Sequence, residues 1–208
     1  VATSLTVKEA LRLLSQTPSL NGVRIAVQGL GAVGLPLCEH YLGEGARLVV
    51  ADRDDGAVRR LLTRYPDAGI EVVAPESIVL TEADVFSPCA VGGLFTESNI
   101  PELRFKAILG GANNQLQASS QEEERELARQ LAERGILFQV AWWHNLGGVL
   151  SGSEEYEHQE EASVDRVLRR IEEIVTTYTA RSLAESRERG ITPLAYAYDV
   201  AEAAIYGA

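Results

Sequence analysis

The fold of this chain is decided by the stretch Ile25-Ala26-Val27-Gln28-Gly29-Leu30-Gly31-Ala32-Val33-Gly34. An apolar run breaks there into the pattern G-x-G-x-x-G, and Asp52 follows at the end of the next apolar run. In a dinucleotide-binding turn the first glycine permits a tight bend, the second lets the backbone approach a pyrophosphate, and the third allows close helix packing. The helix that begins there attracts phosphate through its free N–H groups and its dipole. A glycine-rich turn without a ligand is the alternative, and the strand before the turn, the helix after it and the carboxylate disfavour it.

Strand and helix patterns alternate along most of the chain. Apolar runs that predict strands covered on both faces are Val23–Gln28, Arg47–Ala51, Ile70–Ala74, Asp84–Ser87, Lys106–Leu109 and Ile136–Val140. Helical patterns cover Val7–Leu14, starting with a capping box at Thr6 and Glu9, then Ala32–Gly45, Ala57–Arg64 and Ser120–Arg134. This alternation predicts an α/β fold, a doubly wound Rossmann-type parallel sheet with C-terminal helices.

After Ala162 the pattern is helical only. Apolar residues recur every three or four positions from Val164 to Tyr178, Gly190 and Pro193 end this helix, and a last helix runs to about Tyr206. We therefore expect a single NAD(P)-binding domain, with a helix at 1–20, a Rossmann core at 21–150 and C-terminal helices at 160–208. The acidic runs at 122–124 and 154–161 are interpreted as solvated surfaces.

Composition restricts the class of partner. The 208 residues carry a formal net charge of −11, which would repel a nucleic acid or an anionic membrane surface. No apolar run is long enough to span a bilayer, so no membrane partner is expected. The two cysteines form neither a metal motif nor a disulfide framework, so we expect a cytoplasmic protein without a bound metal.

Polar and small residues gather where the predicted strands end. In an open parallel sheet, ligands bind beyond the carboxyl ends of the strands. Asp52 would accept hydrogen bonds from an adenosine ribose and repel a 2′-phosphate, which favours NAD over NADP, while the adjacent Arg53 leaves some tolerance for the phosphate. Asn113 and Asn114 suit a ribose or carboxamide, and they suit a plain turn equally well.

These strand ends resemble the cofactor-binding lobe of the glutamate/leucine/phenylalanine/valine dehydrogenase family, most closely its leucine and phenylalanine branches. Beyond the glycine turn, the segments that carry the resemblance are Pro88-Cys89-Ala90-Val91-Gly92-Gly93, Gly111-Ala112-Asn113-Asn114-Gln115 and Asn145-Leu146-Gly147-Gly148. The resemblance implies oxidative deamination of an L-amino acid to a 2-oxo acid and ammonia, with hydride transfer to NAD.

The resemblance also implies roles for individual residues, all of them in cofactor binding. The pyrophosphate would be held by the turn residues Gly29, Leu30, Gly31, Ala32, Val33 and Gly34. The adenosine would be held by Asp52, Arg53, Cys89 and Ala90. The nicotinamide half would be held by Thr3, Ala112, Asn113 and Asn145.

The family's catalytic lysines belong to a preceding lobe. This chain begins at Val1, lacks methionine and holds only Lys8 and Lys106, neither of them placed to substitute. We therefore expect an inactive segment, whose missing N-terminal lobe binds the amino acid and whose full-length protein is a homo-oligomer.

One loop departs from the family. Where the family carries Pro-Asp and an aromatic residue before the asparagine, this chain has Val140-Ala141-Trp142-Trp143-His144. The tryptophans could shape a large side-chain pocket or fill an interface. His144 is a candidate proton donor, although a packed, hydrogen-bonded histidine is the favoured interpretation. The altered loop also supports an alternative function, that of a catalytically silent dinucleotide-sensing or partner-binding module.

Overall fold

A single parallel sheet forms the centre of the computed structural model, which describes residues 1–15 and 19–207. Its strands are β1 (Arg24–Gln28), β2 (Arg47–Ala51), β3 (Glu71–Val72), β4 (Val85–Pro88), β5 (Ala107–Ile108) and β6 (Leu137–Phe138). They pair in the order β3-β2-β1-β4-β5-β6, and every pairing is parallel. Strand order reverses between β1 and β4, so the predicted doubly wound sheet is confirmed.

Helices cover both faces of this sheet. They are α1 (Ala2–Ser15), α2 (Gly34–Gly43), α3 (Asp55–Arg64), α4 (Gln121–Glu133), α5 (Gly147–His158), α6 (Val164–Arg189) and α7 (Pro193–Tyr206). None of the described helices is both long and apolar enough to cross a bilayer.

Successive side chains of each strand except β3 enter different cores, and both residues of β3 are exposed, contrary to the predicted cover on both faces. Ile25 and Val27 of β1 pack with residues of α1, α2 and α3, whereas Ala26 packs on the opposite face with residues of α4 and α7. Phe86 of β4 belongs to that second core, where its ring stacks on Phe105 with centroids 4.8 Å apart. Both faces are buried, which explains why the strands read as continuous apolar runs.

The first helix begins earlier than its sequence predicts. The predicted start at Val7 is wrong, because α1 begins at Ala2 and the Thr6 hydroxyl donates to the Ala2 carbonyl inside the helix rather than capping it. Ala2 packs in a third apolar cluster with Leu150 and Ile171, so tertiary contact extends the helix by more than one turn. The end of the segment predicted at 1–20 includes residues 16–18, which lie outside the described residues.

Helix α5 was absent from the prediction. Gly147, Gly148 and Gly152 weaken its helical signal, and its last turn lies in the acidic run that was interpreted as solvated. Its apolar side, through Leu150, packs against α6 instead. Tertiary packing therefore makes a helix from a sequence of poor intrinsic propensity.

One glutamate in that acidic run is buried. Glu154 is 1% exposed, and its Oε1 accepts from the Arg166 guanidinium at 2.6 Å and from the Ser163 backbone N–H at 3.0 Å. The Arg166 bond is the main cause that holds the pKa of Glu154 below its usual value. For this residue the solvated interpretation is wrong, because its carboxylate joins α5 to the start of α6.

We expect Glu154→Gln to lower the melting temperature of the chain. The amide keeps the shape of the side chain but removes the charge that pairs with Arg166. Glu155→Gln is the matched control, since Glu155 is exposed on the same helix and should leave the melting temperature unchanged. Equal melting temperatures for the two variants, measured by circular dichroism, would contradict this role.

Candidate functional site

Two cavities lie along the carboxyl ends of the strands. The first, of about 350 Å³, adjoins the ends of β1 and β2, and we call it the Asp52 cavity. The second, of about 240 Å³, lies between the start of α1, the start of α2 and the loop after β6, and we call it the Asn145 cavity. The glycine turn between β1 and α2 contributes to both.

The three glycines of the turn have different steric environments. Gly29 has φ +89°, and a Cβ there would lie 2.7 Å from the Ala90 Cβ. A Cβ on Gly34 would lie 1.7 Å from the Gly29 carbonyl oxygen, so α2 packs directly on the turn. A Cβ on Gly31 would meet nothing within 4 Å, which leaves open space above the middle of the turn.

Asp52 anchors the turn through both carboxylate oxygens. Its Oδ2 accepts from the Leu30 N–H at 2.5 Å, and its Oδ1 accepts from the Asp54 N–H at 2.7 Å. The Gly29 N–H donates to the Ala51 carbonyl at 2.8 Å. The N–H groups of Gly29 and Leu30 are therefore already used, contrary to the role in phosphate binding that the resemblance implied for them.

The next N–H groups of the turn differ from these two. Within residues 1–15 and 19–207, no hydrogen-bond partner is found for the backbone N–H of Gly31, Ala32 or Val33. All three residues are exposed at the start of α2. Free donors at a helix N-terminus form an anion-binding arrangement.

The Asp52 cavity gathers the predicted adenosine residues except one. Its lining consists of Gln28, Gly29, Ala51, Asp52, Arg53, Pro75, Glu76, Val79, Ala90, Val91 and Leu94. Cys89 lies beneath the turn instead, where its Cβ would be 3.2 Å from a Cβ on Gly34. Burial raises the pKa of the Cys89 thiol to about 11, so the thiol stays protonated at neutral pH.

Sequence reasoning missed the segment that closes this cavity on the outer side. Pro75, Glu76 and Val79 follow the two-residue strand β3 and carry no motif that would have identified them. Gln28 was also missed as a site residue. Its Oε1 is buried and has no hydrogen-bond partner among the described residues, so the cavity wall holds an acceptor that is still free.

The Asn145 cavity brings the two ends of the domain together. Thr3 is 6% exposed, and its hydroxyl donates to the His144 carbonyl at 3.3 Å. The Asn145 Nδ2 donates to the Asn113 Oδ1 at 2.7 Å, which joins the loops after β5 and β6. Ala112 is 4% exposed and lies outside both cavity linings, and its N–H donates to the Pro88 carbonyl.

His144 is buried as a neutral group. It is 1% exposed, and burial lowers its pKa to about 4. Neither ring nitrogen has a partner that meets hydrogen-bond geometry in the described part of the chain, so the favoured interpretation is correct in packing but not in hydrogen bonding. A neutral imidazole carries no acidic proton at pH 7 comparable to that of imidazolium, which argues against a proton donor.

The two tryptophans of this loop have different environments. Trp143 is 9% exposed and packs edge to face against Tyr196. Trp142 is 42% exposed and lies beside Trp143 and Tyr198. Trp143 therefore fills the core, and only Trp142 presents an aromatic surface to a ligand or to another lobe.

A larger hollow of the described surface lies away from these strand ends. It has a volume of about 980 Å³ and is lined mainly by charged residues of α4. Glu123 accepts from Ser119, and Glu126 pairs with Arg129 at 2.6 Å, as in a solvated helix face. Among the residues described, no group of three or more His, Cys, Asp or Glu side chains could hold a metal ion.

Comparison with known families connects this geometry to a chemistry. The sequence profile described as "Glutamate/Leucine/Phenylalanine/Valine dehydrogenase" matches residues 1–208. Leucine dehydrogenase of Bacillus cereus is 36% identical over 196 residues, which cover 94% of this chain and 50% of that protein. Valine dehydrogenase of Streptomyces albus is 34% identical over 207 residues, which cover 97% of this chain and 54% of that protein. The chain thus spans about half the length of the curated relatives that it matches.

Solved structures are similar over the same extent. The crystal structure of L-tryptophan dehydrogenase from Nostoc punctiforme superposes with a TM-score of 0.85 at 30% identity, and the match covers 100% of this chain and 59% of that one. The hetero-hexameric glutamate dehydrogenase from Thermus thermophilus superposes with a TM-score of 0.67 at 23% identity over 92% of this chain and 48% of that one. At that identity, the second likeness supports the fold alone.

Gly34→Ala should destabilise the chain by at least about 2 kcal/mol, because its Cβ would overlap the Gly29 carbonyl. Gly152→Ala is the matched control, since Gly152 lies inside α5 with nothing within 4 Å of a Cβ. The control should gain up to about 1 kcal/mol from helix propensity. Urea unfolding of both variants measures the difference, and an unchanged midpoint for Gly34→Ala would disprove the close packing.

The buried His144 should make stability depend on pH. The pKa of His144 is about 4 in the folded chain and close to 6.5 in the unfolded chain. Between these two pH values the unfolded chain binds a proton at this residue and the folded chain does not. The free energy of unfolding should therefore fall as the pH drops below 6.5, by about 2 kcal/mol between pH 7 and pH 5 from this group.

Replacing His144 by leucine should remove most of that slope, whereas replacing the more exposed His158 by asparagine should retain most of it. Urea titrations at several pH values between 5 and 7 measure the slope. If His144→Leu kept the wild-type slope, another group would be responsible.

Proposed function

The chain belongs to the glutamate/leucine/phenylalanine/valine dehydrogenase family, and from this membership we propose that it is the NAD-binding half of an NAD-dependent L-amino-acid dehydrogenase. The reaction would be oxidative deamination of an L-amino acid to a 2-oxo acid and ammonia. The observation that carries the proposal is the alignment, along one sheet edge, of the Asp52 cavity, the open glycine turn and the Asn145 cavity. A dinucleotide has three parts that match these features in order: the adenosine, the pyrophosphate and the nicotinamide half.

The residues present fit such a cofactor. Gly31 leaves free space where a Cβ would stand, and the N–H groups of Gly31, Ala32 and Val33 are free to donate to a pyrophosphate. The unpartnered Gln28 Oε1 supplies an acceptor at the wall of the Asp52 cavity. We propose that Ala90 and the other apolar lining residues cover the adenine.

The nicotinamide half would lie in the Asn145 cavity. When bound, the nicotinamide ring accepts the hydride. The work of this chain is to bind and orient: Thr3 is held by the His144 carbonyl, and Asn145 is held by Asn113. Side chains fixed in this way lose little freedom on binding, which favours a single orientation of the ring.

NAD is proposed over NADP. Asp52 retains lone pairs that can accept from ribose hydroxyls after its two bonds to backbone N–H groups, and its negative charge opposes a 2′-phosphate. Arg53 is exposed beside Asp52. Its positive charge reduces the preference for NAD over NADP but does not reverse it.

The acid–base groups are proposed to lie in another lobe. Lys8 pairs with Glu44 at 2.8 Å and Lys106 pairs with Asp84 at 2.7 Å, and Lys106 precedes β5 at the edge opposite the cavities. We propose that the chain is one domain of a two-lobed protein whose other lobe binds the amino acid. A homo-oligomeric assembly and a cytoplasmic location belong to the same proposal, the latter supported by the free thiols Cys38 and Cys89.

The amino acid is proposed to have an apolar side chain. The loop Val140–Trp143 beside Asn145 carries no charge, and Trp142 is its exposed member. The three proteins described above that are at least 30% identical to this chain are named for leucine, valine and tryptophan, which are all apolar amino acids.

Gly31→Val should weaken NADH binding by the 208-residue chain at least tenfold without loss of fold. The branched side chain would occupy the space above the turn, and apart from its chain neighbours no described residue has an atom within 4 Å of its Cβ. Gly43→Ala, at the end of α2 and equally free of contacts, is the control that should bind like the wild type. NADH fluorescence titration measures the affinities. No binding by the wild-type chain, or equal binding by Gly31→Val, would refute the proposed site.

Turnover separates the proposed enzyme from the silent module. The 208-residue chain should bind NADH but reduce no NAD with any L-amino acid. A longer, two-lobed protein that contains this chain should reduce NAD with at least one member of a panel of L-amino acids. If the longer protein bound NADH and reduced no NAD across the panel, the alternative function would be favoured.

A further inference from the structure

Glu76 lines the Asp52 cavity. It follows β3, the strand next to β2, and its segment closes the cavity opposite Ala90 and Val91. Within the described residues, its carboxylate forms neither a hydrogen bond of the accepted geometry nor an ion pair within 4.0 Å. It is exposed, so its charge is hydrated and available to act on a ligand.

Asp52, by contrast, is already engaged. Its two oxygens accept the N–H groups of Leu30 and Asp54, which fixes the carboxylate against the backbone and spreads its charge over two hydrogen bonds. Arg53 also lines the cavity and has no ion-pair partner within 4.0 Å in the part of the chain described. The charged lining of the cavity is therefore one engaged carboxylate, one free carboxylate and one free guanidinium.

We infer that Glu76 is a second specificity-determining residue, which acts with Asp52 against a dinucleotide that carries a phosphate on its adenosine ribose. The inference rests on the proposed dinucleotide site. A 2′-phosphate brings nearly two negative charges into the cavity. Arg53 offsets one of the two carboxylates, and Glu76 leaves the balance negative.

The effect of Glu76 on the binding of a nucleotide with a 2′-phosphate should have the size expected for exposed charges in water. A single charge at about 6 to 8 Å from a phosphate changes its binding by a few fold at low salt, and by less when the Debye length is short. Neutralising Glu76 should therefore improve NADPH binding about threefold in 20 mM salt and leave NADH binding within a factor of two. In 0.5 M salt the improvement should largely disappear, which a purely structural change would not produce.

The test compares Glu76→Gln with Glu82→Gln. Both variants remove one carboxylate, but Glu82 is an exposed residue that precedes β4, at the opposite edge of the sheet. Fluorescence titration of the 208-residue chain with NADH and NADPH gives the ratio of dissociation constants for each variant. We expect the ratio to shift for Glu76→Gln alone, and Arg53→Gln to shift it in the opposite direction.

The outcomes distinguish the two levels of the proposal. If the wild-type chain bound neither nucleotide, the proposed function would fail and this inference with it. If the wild type bound NADH and the ratio for Glu76→Gln equalled that for Glu82→Gln, only the role of Glu76 would be overturned. An equal shift in 20 mM and 0.5 M salt would also overturn it, because the effect would then not be electrostatic.

Discussion

The hydrogen bond from the Leu30 N–H to the Asp52 carboxylate holds the site together. It joins the end of β2 to the turn after β1, and the second oxygen of Asp52 extends the connection to Asp54. Asp54 in turn caps α3, because its Oδ1 accepts from the Gly56 N–H at 2.8 Å. One carboxylate therefore sets the position of the glycine turn relative to the sheet and to the helix that follows β2.

This constraint divides the turn into two functional parts. The N–H groups of Gly29 and Leu30 maintain the shape of the turn, and those of Gly31, Ala32 and Val33 have no hydrogen-bond partner among the described residues. The close contact between Gly34 and the Gly29 carbonyl fixes the start of α2 against that shape. A rigid turn with free donors needs little reorganisation to bind an anion.

The sheet and most of its helices could be predicted from the sequence, because their signals are local. Patterns of only a few residues predict the G-x-G-x-x-G turn, the strands formed by the apolar runs, and the end of α6 at Gly190, which has φ +65°. Helix α5 and the first turn of α1 could not be predicted, since packing against α6 stabilises both. Propensity describes a segment in isolation and contains no information about such a neighbour.

In the candidate site, too, residues in local motifs could be predicted and residues placed by tertiary structure could not. Motif residues such as Asp52 and Asn145 were identified, because glycine, carboxylate and amide patterns carry a chemical meaning. Glu76 and the unpartnered Gln28 were not, because only the three-dimensional arrangement brings their segments to the cavity. A packed His144 was the favoured interpretation from the sequence, but the absence of a hydrogen-bond partner for its ring nitrogens among the described residues became visible only in the structure.

The bond between Thr3 and the His144 carbonyl has a consequence for folding. It joins residues 141 positions apart, and all six strands lie between them, so this wall of the Asn145 cavity forms only when the sheet has formed. Contacts of such sequence separation are entropically costly to form and depend on the structure already built between them. The glycine turn is held by a bond between residues that lie 22 positions apart, whereas one wall of the Asn145 cavity depends on a contact that spans the whole sheet.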